Sequence, residues 1–300
     1  MQGFILLNKP QGMTSFSAVS RIKRLCHEKR VGHTGTLDPM ATGVLPVFLG
    51  RATALSGLML DGDKRYTAKI KLGVTTDTED ITGTVLATKT VNVNDTLLLD
   101  ALRHFTGKIK QTPPMYSALK KDGVRLYELA RQGKTVEIPQ REIEIFSIDL
   151  LSGIDSENCF VIDVLVSKGT YIRSLARDIG EFLGCGATLA SLERTNACGF
   201  DIAECVNLCD LTEQNVTDYI SSEEKAVMHL SQVNVTEKQA VRFCNGGQLS
   251  FERLHLENVA ENQFFRVKCG SSFLGIGIAD LPNNRLNIKC ITNDFKAVAK

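Results

Sequence analysis

Apolar residues fall in short runs whose spacing alternates between strand-like and helix-like, and this rhythm sets the predicted elements. Phe4-Ile5-Leu6-Leu7 is a continuous apolar run that stops at Asn8-Lys9-Pro10-Gln11-Gly12, which predicts a short buried strand closed by a turn. Thr14 or Ser15 can cap the helix that follows through Leu25, where Val19, Ile22 and Leu25 recur at helical spacing and the basic residues take the remaining face. Residues 31–43 read as a glycine-rich irregular loop, and 44–49 as a short apolar strand. Residues 66–72 alternate and predict a half-exposed strand, whereas the acidic, threonine-rich stretch 75–83 predicts a loop. A helix is expected at 97–105.

Further along, residues 112–140 open with Pro113-Pro114 and close at Pro139, with a helix of their own near 124–132. That pattern predicts a projecting arm. Residues 159–167 read as a strand, after which Thr170 is expected to cap a helix with Ile172, Leu175, Ala176, Ile179, Phe182 and Leu183 as one apolar stripe, stopped by Gly184-Cys185-Gly186. The acidic stretch after Phe200 marks a boundary. From about His229 a small β-rich unit is expected, with a helix at 237–244 and strands at 264–268, 273–279 and 286–291. The expected domains are therefore 1–228, carrying the arm at 112–140, and 229–300.

At 300 residues with 43% hydrophobic and 23% charged residues, the chain can bury a full core and is not disordered. No run of about 18 apolar residues suggests a membrane span, and the N-terminal apolar run is too short for a signal peptide and lacks a basic segment before it. Nine cysteines without an export signal predict free thiols and a cytoplasmic location. Cys205 and Cys209 stand four apart, but a structural metal site normally draws ligands from two such pairs, so no metal is expected. The net charge of +1 hides a stronger pattern: residues 1–33 carry net +5, residues 103–142 net +5, and residues 201–237 net −7. A solvated helix face explains one basic tract; two tracts beside unusual motifs favour a polyanionic partner.

The candidate chemistry lies in two segments. In Gly32-His33-Thr34-Gly35-Thr36-Leu37-Asp38-Pro39-Met40-Ala41-Thr42-Gly43, the glycines permit backbone shapes closed to other residues, and Pro39 restricts Asp38 to an extended backbone. The expected result is a carboxylate on a stiff loop; a structural turn Asp would share this spacing. The segment lacks the Gly-Lys-Ser/Thr ending of a phosphate-binding P-loop. In Ser167-Lys168-Gly169-Thr170-Tyr171-Ile172-Arg173, an arginine sits in the first turn of a helix, where the dipole disfavours a cation. Pairing with Asp38 would account for it, and an arginine reaching solvent is the alternative. Lys64-Arg65-Tyr66 and 112–121 mix aromatic and basic residues as single-stranded RNA contacts do, although a cationic hairpin would look alike.

Taken together, 7–15, 32–43, 64–73, 76–80, 115–120, 126–131, 167–173 and 184–187 resemble the TruB family of bacterial tRNA pseudouridine synthases, in the family's order across about residues 3–200. The resemblance implies an α+β chain: a pseudouridine synthase fold, with a mixed, mostly antiparallel central sheet and flanking helices, plus a small β-rich PUA-like C-terminal domain. It implies isomerisation of uridine to pseudouridine at position 55 in the T-loop of tRNA, by base flipping, with no cofactor. Asp38 matches the catalytic aspartate, Arg173 the arginine paired with it, and Tyr66 the tyrosine stacked on the target base. His33 matches a residue that opens the T-loop, Tyr171 a substrate contact, and Leu192 a wall of the uridine pocket. Lys9 and Lys168 match basic residues near the site. The arm corresponds to an RNA-gripping thumb. The implied partner is the tRNA T-stem-loop, with no membrane and no obligate protein partner, for a monomer.

Overall fold

The computed structural model describes residues 1–59, 62–117, 119–121, 123–134 and 136–295; residues 118, 122 and 135 of the expected arm lie outside the described residues. The chain builds strands β1 (Gly3–Lys9), β2 (Val31–His33), β3 (Thr42–Leu49), β4 (Lys64–Leu72), β5 (Gly107–Gln111), β6 (Arg141–Ser152), β7 (Cys159–Val166) and β8 (Ala187–Ala197). They form one mixed sheet in the order β1-β3-β8-β4-β7-β6-β5, with β2 added to β3 and Val206–Asn207 added to β1. All pairs are antiparallel except β3 with β8 and β1 with Val206–Asn207. A second, five-stranded sheet includes β9 (Ser231–Asn234), β10 (Phe264–Cys269), β11 (Ser272–Asp280) and β12 (Arg285–Ile291). The fold is α+β, as expected.

Strand alternation explains how two cores form on one sheet. Ile5 and Leu7 of β1, with Leu45, Val47 and Leu49 of β3, face the core shared with helices α1 (Ser15–Leu25), α2 (Asp95–His104) and α4 (Ile172–Phe182). Phe4 and Leu6, with Val44 and Phe48, face the opposite way and meet Phe273 and Ile276 of β11. The C-terminal unit therefore docks on the back of the central sheet through apolar side chains. Helix α3 (Leu126–Arg131) lies in the arm and α5 (Glu237–Cys244) in the C-terminal unit.

Several expectations change on meeting the structure. Thr170 does not cap α4: its hydroxyl donates to the Ser167 carbonyl (3.0 Å), and the N-cap is Tyr171 without a side-chain cap of its own. The fully buried amide of Gln111 takes over, accepting from Tyr171 N–H (2.9 Å) and donating to Tyr171 C=O (3.1 Å). Phe182 leaves the apolar stripe for the surface, where it stacks on His104 at 4.7 Å. The segment 31–43 is not all loop, because Val31–His33 pairs with Val47–Leu49. Likewise Thr75 and Thr76 of the expected 75–83 loop pair, with Val74 before them, against Val85–Thr88. Strands β5, β6 and β8 were not anticipated; register shifts in β6 and β8 break the alternation that would have marked them.

Candidate active site

The site forms where β8 runs between β3 and β4. Gly43 at the start of β3 pairs with Arg194 of β8, and Arg194 pairs in turn with Tyr66 of β4. Gly43 has φ +105°, and a Cβ there would lie 2.2 Å from the Arg194 carbonyl oxygen, so this crossing admits only glycine. The loop 34–41 arches from β2 to β3 above it. Arg194, almost fully buried, ties the loop's two ends together by donating Nη2 to Gly35 C=O and Nε to Val44 C=O, both at 2.8 Å.

Helix α1 holds the same loop from the other side. Thr14 caps the helix by accepting from Ser17 N–H, which leaves the buried Ser15 hydroxyl free for a second task. It accepts from Leu37 N–H (2.9 Å) and donates to Leu37 C=O (3.0 Å), while Gly12 N–H donates to Pro39 C=O (2.7 Å). These bonds fix the backbone on both sides of Asp38.

Asp38 faces Arg173 of α4, with Arg173 Nε 2.9 Å from Asp38 Oδ2. The arginine side chain is 5% exposed and the Asp38 side chain 37%, so the carboxylate forms the open mouth of the pair. Arg173 also donates Nη1 to Thr78 C=O (3.0 Å) and Nη2 to Tyr116 C=O (2.9 Å), and Asp80 Oδ2 stands 3.9 Å from Nη1. This fork geometry is one a lysine could not satisfy. Asp80 is held in turn by Thr78 Oγ1, Thr82 N–H and Thr82 Oγ1. Burial pushes the Asp38 carboxyl above its ordinary value; Arg173 opposes this and Asp80 adds to it.

Tyr66 and Leu192 lie on one face of the sheet, Leu192 opposite Ala68, two residues along from the Arg194–Tyr66 pair. Both are buried in the α4-side core. Tyr171 is half-buried at the start of α4, its ring 5.9 Å below the Arg141 guanidinium. His33 ends β2; its Nδ1 is buried without a hydrogen-bond partner among the described residues, and burial, aided by Arg194, lowers its pKa and favours the neutral ring. Lys9 is fully buried, with Nζ donating to Pro10 C=O (2.8 Å) and Met13 C=O (2.7 Å). Burial lowers its pKa to about 8, although Asp38 acts in the other direction. Lys168 is exposed in the turn between β7 and α4.

Asp38 and Arg173 are thus in direct contact, while Tyr66 and Leu192 lie in the core on the α4 side of the sheet. His33 lies on β2, which leads into the Asp38 loop, and Tyr171 is two residues before Arg173. Lys9 is turned beneath the loop toward backbone carbonyls, and Lys168 lies on the surface. Sequence reasoning singled out neither Asp80 nor Arg194, and it treated Ser15 only as a helix cap. Among the described residues no group of three or more His, Cys, Asp or Glu is arranged as a metal site. Cys205 and Cys209 are free, and burial pushes the Cys205 thiol up to about 12.

Comparison with known proteins matches residues 23–172 to the TruB family pseudouridylate synthase N-terminal domain and residues 173–233 to the tRNA pseudouridylate synthase B C-terminal domain. The chain is 44% identical over 282 residues to tRNA pseudouridine synthase B of Clostridium perfringens (strain 13), covering 93% of this chain and 96% of that one. It is 42% identical over 285 residues to the protein of that name from Acaryochloris marina, covering 92% and 94%. Among solved structures it is similar to a chain in a Cbf5-Nop10-Gar1 complex, with TM-score 0.74, 26% identity and coverage of 97% of this chain and 84% of that one. The fold also matches a chain of an H/ACA RNP bound to a substrate RNA containing 2'-deoxyuridine, with TM-score 0.74, 23% identity and coverage of 97% and 85%.

Proposed function

The chain belongs to the TruB family of pseudouridylate synthases and isomerises uridine to pseudouridine in tRNA, and we propose that it acts at position 55 of the T-loop with Asp38 as nucleophile. The observation that carries this reading is the Asp38–Arg173 pair, in which a partly open carboxylate on a clamped loop meets a buried guanidinium. Tyr66 and Leu192, side by side on the sheet in the adjoining core, are read as the walls that receive the base. In the reaction the N1–C1′ bond breaks, a C5–C1′ bond forms, C5 loses its proton and N1 gains one. No oxidation state changes, so the reaction needs no cofactor. The base must leave its stack to enter the pocket. The neutral His33 ring fills the space it vacates, Tyr66 stacks on the flipped uracil, and Tyr171 borders the opening. Arg173 keeps Asp38 ionised as the incoming base displaces water from it.

The arm at 112–140 grips the RNA, and its root reaches the chemistry through the Tyr116 carbonyl on Arg173. The C-terminal unit, 229–300, is read as a PUA-like RNA-binding domain, and the enzyme as a cytoplasmic monomer. Lys168 would meet the RNA backbone, whereas Lys9 would act from beneath the loop. The test is to incubate the protein with an unmodified tRNA transcript, without added cofactor or metal, and map pseudouridine by position. A single product at position 55 is expected. Product at another position, or none, would overturn the assignment.

A further inference from the structure

Where the central sheet meets the C-terminal unit, a surface cavity of about 390 Å³ is lined by Arg30, Arg51, Thr53, Ala54 and Ile291. Arg30 precedes β2, and its carbonyl accepts from Gly50 N–H (2.8 Å); Arg51 follows β3. The two strands are in register, with His33 opposite Val47 and Val31 opposite Leu49. At about 3.3 Å per residue, Arg30 and Arg51 therefore stand roughly 10–13 Å from His33 along the sheet. Ile291 belongs to β12, so the cavity spans the seam between the two units.

The charge here is unbalanced. Lys23, Arg24, Lys29 and Arg30 are exposed and make no ion pair among the described residues. Glu28, the acid of this tract, is already engaged by Met1 N (2.8 Å) and by Arg30 N–H (3.1 Å). Lys23 and Arg24 sit in the last turn of α1, where the helix dipole alone accounts for cations. Arg30 and Arg51 have no such explanation. Arg51 is bonded to the Asp294 carboxylate, an exposed anion from the segment after β12.

We propose that Arg30 and Arg51 form a seat for a backbone phosphate of the substrate RNA, and that the Asp294 carboxylate occupies the Arg51 fork until the phosphate displaces it. The seat rests on the reading of this chain as a tRNA-modifying enzyme, and it names how the stem beyond the flipped base is held. Its distance from His33 is well inside one turn of a double helix, about 34 Å, so a duplex whose open end lies at His33 can reach it within its first turn. An arginine fork matches a phosphate as well as it matches a carboxylate. The exposed cations of α1 steer the stem toward the seat.

The test is equilibrium binding of an unmodified tRNA transcript across a potassium chloride series, for wild type, Arg51→Gln, Arg30→Gln and Asp294→Asn. Arg51→Gln and Arg30→Gln are each expected to weaken binding about tenfold and to lower the slope of log affinity against log salt by about one. Asp294→Asn removes the same ion pair as Arg51→Gln, yet it is expected to tighten binding several-fold. Weakening by Asp294→Asn would show the pair to be only a latch between the units and would overturn the proposal. Wild-type affinity and slope in both arginine variants would also overturn it; Arg30→Gln leaves the ion pair intact, so a folding defect in the Arg51 variant does not shield the idea. Failure of the functional reading shows separately, as absence of pseudouridine from the wild-type reaction.

Discussion

Asp38 is a carboxylate pulled two ways. Burial raises its pKa, the Arg173 guanidinium lowers it, and Asp80 behind that guanidinium raises it again. The proposed chemistry needs the ionised form, so activity should fall as pH drops through the Asp38 pKa. Replacing Arg173 with Met removes the chief opposing influence, and the acid limb of kcat/KM should then move to higher pH. A pH profile of single-turnover product formation checks this; an acid limb in the wild-type position would mean that Arg173 serves geometry alone. Much of this pair was visible in the sequence, because an aspartate before proline in a glycine-rich loop and an arginine at a helix start are both unusual. Asp80 was not, since it is one of three acids in Thr76-Asp77-Thr78-Glu79-Asp80, and only the turn decides which of them is buried against Arg173.

Elements explain why a loop can hold a reactive group still. The start of α1 divides two jobs between neighbours: Thr14 caps the helix and Ser15 clamps Leu37. Thr14→Ala should therefore cost about 1 kcal/mol of stability and leave turnover near wild type. Ser15→Ala should lower kcat well beyond its effect on the melting temperature, because the backbone beside Asp38 loses both bonds. Equal losses of turnover in the two variants, in parallel with stability, would count against a positioning role for Ser15. The helical and strand periods gave α1, α4, β1, β3 and β4 with small errors at their ends. They did not give β8, because its register shifts break the pattern. That omission hid Arg194, the side chain that joins the loop's two ends. Gln111 was hidden for a different reason: a buried amide capping a helix from another strand has no local signature.

At the scale of the molecule, the central sheet uses both faces. One packs helices that carry Arg173 and the clamp on the loop bearing Asp38; the other docks the C-terminal unit through Phe273 and Ile276. The sequence marked this second unit by its change of rhythm near His229, but nothing local in the sequence reveals that its apolar residues face the back of the first sheet. A net charge of +1 over the whole chain is compatible with RNA binding because the cations cluster, including the set around α1 and β2 that makes no ion pair among the described residues. On the proposed reading, binding and chemistry are separable, the first spread over basic surfaces and the second concentrated in one carboxylate. The most direct test is to compare wild type and Asp38→Asn on the same unmodified tRNA, measuring affinity and pseudouridine formation at saturating enzyme. The account predicts near-wild-type affinity with no product from the variant. Pseudouridine formed by Asp38→Asn at the wild-type rate would contradict it.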